Sequence, residues 1–206
     1  MLNEKRWIEL LDRLTGNPPP DGSFKQLVDA YSEPHRCYHN ITHIEHSLAE
    51  FDAVMNLCKS PDEVEFAIWL HDVVYDPHAS DNEEMSALHA REILSEANCP
   101  VTKTSNIQEL ILATRHIHPP ATMDAQLLVD IDLSIFGQMP VIFNKYEENI
   151  RAEYSWMSEQ AYKLGRSRIL RGFLDKPSIY STDRIEKMYG DQARENITRV
   201  LAALAQ

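Results

Sequence analysis

Residues 67–74 read Ala67-Ile68-Trp69-Leu70-His71-Asp72-Val73-Val74, an adjacent histidine and aspartate inside an otherwise apolar run. Just upstream, Ser60-Pro61-Asp62-Glu63 carries the signals of a helix start, with serine as N-cap, proline at N1 and glutamate at N3. The helix it opens takes in Val64, Ala67, Ile68, Leu70 and Val74 and is apolar around nearly its whole girth. Such a helix is expected at the centre of a fold, covered by other helices. A carboxylate at that place needs a partner, because burying it unpaired is very costly. Two arrangements satisfy the dipeptide taken alone. One is a metal ion held by both side chains; the other is a buried arginine on Asp72 with His71 bonded to a carbonyl.

Working outward, helix follows helix. Apolar periodicity, caps and prolines predict helices over 5–14, 23–32, 41–57, 60–74, 80–97, 104–116, 124–136, 140–164, 166–174 and 183–204. Short apolar runs such as Leu127-Leu128-Val129 sit inside 3.6-residue patterns, so no strand is expected. The expectation is a single all-α domain over residues 1–206, a helical bundle of nine or ten helices without a linker. Trp7, Trp69 and Trp156 fall at apolar helical positions and are expected in the core.

The composition narrows the function classes. Apolar residues make up 43% and charged residues 25% of the 206, an ordinary globular mixture, not a disordered one. The formal net charge of -12 repels nucleic-acid backbones and anionic membranes, so neither is expected as a partner. It also repels an anionic substrate unless a metal or a local arginine cluster reverses the potential. The N-terminal stretch MLNEKRWIELLDRL is amphipathic and lacks the apolar core of a signal peptide, so the cytoplasm is the expected location. Cys37, Cys58 and Cys99 form no C-x-x-C pair and are read as reduced thiols. No heptad seam marks a helix face, which leaves a homodimer open.

Three segments carry the chemistry. Tyr38-His39-Asn40-Ile41-Thr42-His43 places two histidines four residues apart at a helix start. His71-Asp72 follows, and then Asp130-Ile131-Asp132-Leu133 sets two carboxylates among Leu128, Val129, Ile131 and Leu133. One His, a His-Asp pair and an Asp make an N2O2 set suited to a borderline or hard divalent ion. The set lacks cysteine, which argues against a closed structural zinc site.

This order, H…HD…D, resembles the HD superfamily of metal-dependent phosphohydrolases, with His43, His71, Asp72 and Asp132 at its four ligand positions. Tyr38-His39-Asn40-x-x-His43 resembles the YHNxxH stretch of the cyclic-nucleotide phosphodiesterases, where the second histidine binds metal and the first donates a proton to the leaving oxygen. His71-Asp72-Val73-Val74-Tyr75-Asp76 resembles the HDVVED stretch of the guanosine tetraphosphate hydrolases, where the acidic pair positions the attacking water. Tyr75 stands where that family has glutamate. Over nearly the full length the chain looks most like a bacterial family of HD phosphohydrolases of similar size whose substrate is not established. The stretches that carry this are YHNITHI (38–44), LHDVVYDP (70–77), SDNEEMSA (80–87), DIDLSIFG (130–137), IRAEYSWM (150–157) and GRSRILRGFL (165–174).

The resemblance implies hydrolysis of a phosphate ester or anhydride of a nucleotide or another small phosphorylated molecule, with a metal-activated water attacking phosphorus. The cofactor is one divalent ion (Mn, Mg, Fe, Ni or Zn), with a second as an option. Asp76 is expected either to orient or deprotonate that water, four residues after Asp72 on a continuing helix, or to cap the Pro77 loop. His39 is the general-acid candidate, or else a loop histidine bonded to backbone. Arg166 and Arg168 are candidate phosphate clamps, or else a solvated face paired to carboxylates. Arg36 and His116 are further substrate-binding candidates, near the site residues in sequence. A non-catalytic ligand-binding or sensor module is the alternative function.

Overall fold

The computed structural model describes residues 2–205. Among them there are ten α-helices and no strand, as the apolar periodicity requires. The chain divides into two compact units, one up to Val129 and one from Asp130 onward, with the division falling inside one helix. The sequence carries no linker composition at that point.

The first unit contains α1 (Glu4–Thr15), α2 (Ser23–Tyr31), α3 (Ile41–Val54), α4 (Pro61–Leu70), α5 (Asn82–Glu96), α6 (Val101–Ala113) and most of α7 (Met123–Asp132). As its sequence demands, α4 is central: every residue from Glu63 to Leu70 is buried, and α1, α3, α5 and α6 pack around it. Trp7 of α1 stacks on Phe66 with ring centroids 5.3 Å apart and meets Trp69 edge-on at 5.7 Å. The Tyr31 hydroxyl donates to the Trp69 carbonyl at 3.0 Å. Buried Glu65 accepts from Arg6 Nε at 2.6 Å and Arg13 Nη2 at 2.8 Å, which ties α1 to α4 through paired charges.

The start of α4 differs from the expected capping box. Ser60 makes no side-chain cap, and the Glu63 carboxylate accepts from Asn106 instead. Asp124, from the start of α7, takes the cap role: its carboxylate accepts from Lys59 N–H at 2.7 Å and Ser60 N–H at 2.9 Å. The end of α4 differs as well. The helix stops at Leu70, so His71 and Asp72 lie in the turn that follows, not inside a longer helix.

The second unit contains the 3-10 turn Leu133–Gly137, α8 (Pro140–Glu153), α9 (Glu159–Leu174) and α10 (Asp183–Leu204). The long helix expected over 140–164 is broken at 154–158. Arg151 closes α8 by donating to the carbonyls of Tyr154 (2.7 Å) and Met157 (3.3 Å), and Ser158 caps α9 through Ala161 N–H at 3.3 Å. Trp156 falls in this break and is 51% exposed, against the expectation that it is core.

The turn at Gly137 meets α10 so closely that a Cβ there would overlap the Tyr189 side chain and come within 2.8 Å of its carbonyl oxygen. Gly137→Ala is therefore expected to destabilise the fold by about 1–3 kcal/mol through overpacking. A urea denaturation series on the two chains checks this; an unchanged midpoint contradicts it.

Candidate metal centre

Residues 36–40 fold as a polar turn that ends in a cap. The Asn40 side chain accepts from Thr42 N–H at 2.8 Å and opens α3, which places His43 in its first turn, facing inward and buried. The Asn40 amide also donates to the Cys37 carbonyl at 2.9 Å. The motif thus has a folding reason for its asparagine as well as a chemical reason for its histidines.

Against this turn sits the one after α4. His71 Nδ1 lies 2.9 Å from the Ile68 carbonyl, a contact that requires the proton on Nδ1 and leaves the Nε2 lone pair turned the other way. His71 Nε2 is 3.0 Å from His43 Nε2 and 3.1 Å from Asp72 Oδ2, and His43 Nε2 is 3.4 Å from the same oxygen. Three electron-rich atoms so close together need a positive charge among them, a proton or a cation. Metal–ligand bonds of about 2.1 Å put neighbouring donors about 3.0 Å apart in an octahedron and about 3.4 Å apart in a tetrahedron. The three edges fall in that range, so the donor set and its spacing fit a divalent ion.

Both earlier arrangements for the dipeptide are partly met. His71 is bonded to a carbonyl, as a core histidine would be, and this is also how a metal-ligating histidine is oriented. Arg36 is buried beside Asp72, but it binds the Asp72 backbone carbonyl (2.6 Å), not the carboxylate. Burial works to raise the Asp72 carboxyl, and the adjoining His71, His43 and His39 imidazoles outweigh it and hold it well below the usual carboxylate range.

The loop after Asp72 is pinned from α5. Ser86 accepts from Val74 N–H at 3.1 Å and donates to the Val74 carbonyl at 3.3 Å. One turn earlier, Asn82 accepts from Asp76 N–H and donates to the Asp76 carbonyl, both at 3.0 Å. This explains why Asn82 and Ser86 stand four apart in SDNEEMSA. It also removes the basis for placing Asp76 four residues along a helix from Asp72. Asp76 is exposed, and its carboxylate accepts from His78 N–H at 2.8 Å, so it caps the Pro77 turn.

The other sequence candidates separate clearly. His39 is half-buried beside the cluster, stacked on Tyr75 at 4.2 Å and edge-on to His43 at 6.0 Å. Arg36 is spent on backbone and Glu33 contacts and is not available as a phosphate clamp. Arg166 is likewise spent. It is buried, forms a two-pronged pair with Glu147 and donates to the Tyr146 hydroxyl at 2.8 Å. Arg168 is exposed on α9, and His116 is exposed with a left-handed φ of 56° after α6. Arg115 pairs with Glu84.

The two acids of α7 have different fates. Asp130 is buried and accepts from Ser181 N–H, Thr182 N–H and the Thr182 hydroxyl, each at 2.7 Å. It anchors the start of α10, so its burial is explained without any cation. Asp132 is the last residue of α7 and half-buried; in the second unit its charge helps push the Tyr146 phenol upward, after burial as the main cause.

A cavity of about 570 Å³ lies at the other end of α4, lined by Ser60, Glu63, Leu110, Ile117, Pro120 and Asp124 among others. It holds none of the three clustered donors. The chemistry sits at the C-terminal end of α4 and the open volume at its N-terminal end.

Comparison with known protein families, with curated proteins and with solved structures found no match.

In the metal-free chain, the depressed Asp72 carboxyl gives a pH signature. Its interactions stabilise the fold fully above the ordinary carboxylate value of about 3.9, and this is lost as pH falls toward the lower folded value. Wild type should therefore lose more stability than Asp72→Asn on acidification from about pH 5 to pH 3. Parallel pH profiles in chemical denaturation that do not diverge would contradict it.

Proposed function

We propose that the chain is a divalent-metal-dependent phosphohydrolase of the HD type, acting on a phosphate ester or anhydride of a small phosphorylated molecule. The single observation that carries this is the triangle of His43 Nε2, His71 Nε2 and Asp72 Oδ2, with edges of 3.0, 3.1 and 3.4 Å. In this reading His43, His71 and Asp72 hold the ion, and the sequence order H…HD…D gives Asp132 as the fourth ligand. One divalent ion is proposed. When bound, it supplies Lewis acidity toward a phosphoryl oxygen and eases ionisation of water.

The residues of the chain have their own tasks. The Ile68 carbonyl orients His71 through Nδ1 and so aims Nε2 at the ion. Asp72 and Asp132 contribute the negative charge where the ion would sit, and with two neutral imidazoles a bound divalent ion brings the site to neutrality. That neutralisation matters in a chain with a formal net charge of -12, whose carboxylates would otherwise repel a phosphate from the site. His39 is the proposed proton donor to the leaving oxygen. Its ring is held on Tyr75 at 4.2 Å and lies next to His43, within the same cluster of rings. Neither a nucleic acid nor a membrane is proposed as a partner, on the same electrostatic ground. No single described helix is long and apolar enough to cross a membrane.

Asp72→Ala is expected to abolish both metal binding and hydrolysis, and Asp132→Ala to weaken metal binding by at least tenfold. Elemental analysis of the purified variants, followed by a panel of phosphate esters assayed with the metal found, checks both. Full activity of Asp72→Ala would remove the proposal. Metal bound by the unsubstituted chain with no turnover of any ester would favour a ligand-binding module.

A further inference from the structure

We infer that Arg36 is a positioning residue that sets the geometry of the metal cluster by clamping two turns together through their backbones. The inference rests on the metal reading above. The Arg36 side chain is 1% exposed, and four of its five N–H groups have acceptors. Nε donates to Glu33 Oε2 at 2.9 Å, Nη1 to the His39 carbonyl at 3.2 Å and the Asp72 carbonyl at 2.6 Å, and Nη2 to the Val73 carbonyl at 2.9 Å. The rings of Tyr31 and Tyr75 lie 5.2 Å and 5.5 Å from the guanidinium carbon.

These acceptors belong to two segments that are also linked by His35 Nε2, 2.9 Å from the Tyr75 carbonyl, and by the stack of His39 on Tyr75, but whose backbones next to the donors are joined by Arg36. The His39 carbonyl lies one residue before the cap of the helix that carries His43. The Asp72 and Val73 carbonyls lie past the end of α4, where the helix ladder no longer fixes the backbone. Arg36 joins them with one planar group, while Ser86 and Asn82 hold the far side of the same loop. The His43–His71–Asp72 triangle is therefore set by backbone contacts made by a residue that touches none of its donor atoms. A lysine can carry the charge but not the fork, so it can reach one of these carbonyls well and not all three.

A merely electrostatic role and a positioning role differ in sign. Removing a buried positive charge near a cation site, as Arg36→Gln does, strengthens cation binding by relieving Coulomb repulsion, whereas loosening the two turns weakens it in either variant. The test titrates Mn2+, Ni2+ and Zn2+ separately into the unsubstituted chain, Arg36→Lys and Arg36→Gln by calorimetry, with the folded fraction measured by circular dichroism at the same temperature. The expected result is that the unsubstituted chain binds at least one of these ions. Each variant that folds should bind that ion about 10–100-fold more weakly per folded molecule. Unchanged or tighter binding in a folded variant overturns the inference and leaves the metal reading standing. Failure of both variants to fold also overturns it, since Arg36 is then a folding residue. No binding of any ion by the unsubstituted chain overturns the metal reading and the inference together.

Discussion

The structure depends on one constraint, that a helix apolar around nearly its whole girth must be buried along its length and must still end. α4 is buried from Glu63 to Leu70 and packed by four other helices. At its C-terminal end the carbonyls of the last turn and of the residues beyond need partners where water is scarce. The chain answers with His71 on the Ile68 carbonyl and Arg36 on the Asp72 and Val73 carbonyls. His71 therefore both terminates the helix and supplies a donor to the cluster. The fold and the candidate site are thus one solution to the same problem, which is why a histidine and an aspartate can follow an apolar run at so little cost.

The same logic explains which polar residues are not part of the site. Glu65 is neutralised by two arginines of α1, Arg166 by Glu147, and Asp130 by the backbone at the start of α10. Each buried charge in that group has hydrogen-bonding partners of its own, as the cost of burial demands. Against this background the three donors around His71 stand out, because they are all electron-rich and face one another. Protonation can satisfy them only in part, and a divalent ion satisfies them at ordinary bond lengths.

Much of this was legible in the residues. Proline, capping residues and apolar spacing give the helices, and ten are present. His43, His71 and Asp72 are brought together as the order of the motifs implied. What was not legible has physical reasons. α4 ends before the apolar pattern does, because Val73 and Val74 continue that pattern while a tertiary arginine and Ser86, invisible to periodicity, hold those residues in a turn. The break at 154–158 was missed because Tyr154 and Trp156 look like core residues, and only Arg151 capping the chain end reveals it. The apolar surroundings of Asp130 carry no sign of its role, which is to accept from the backbone at the start of α10, 51 residues away in sequence. Arg36 could have been suspected from its place two residues before YHN, but its partners are backbone atoms, which carry no sequence signature.

The proposed cation would be held by two imidazoles and a carboxylate at the end of α4. Its most direct test is a crystal structure of the chain grown with Mn2+ or Zn2+, with anomalous scattering recorded at the metal edge. An anomalous peak is expected about 2.1 Å from His43 Nε2, His71 Nε2 and an Asp72 oxygen. A metal-loaded crystal whose only anomalous peaks lie away from these three atoms would contradict it.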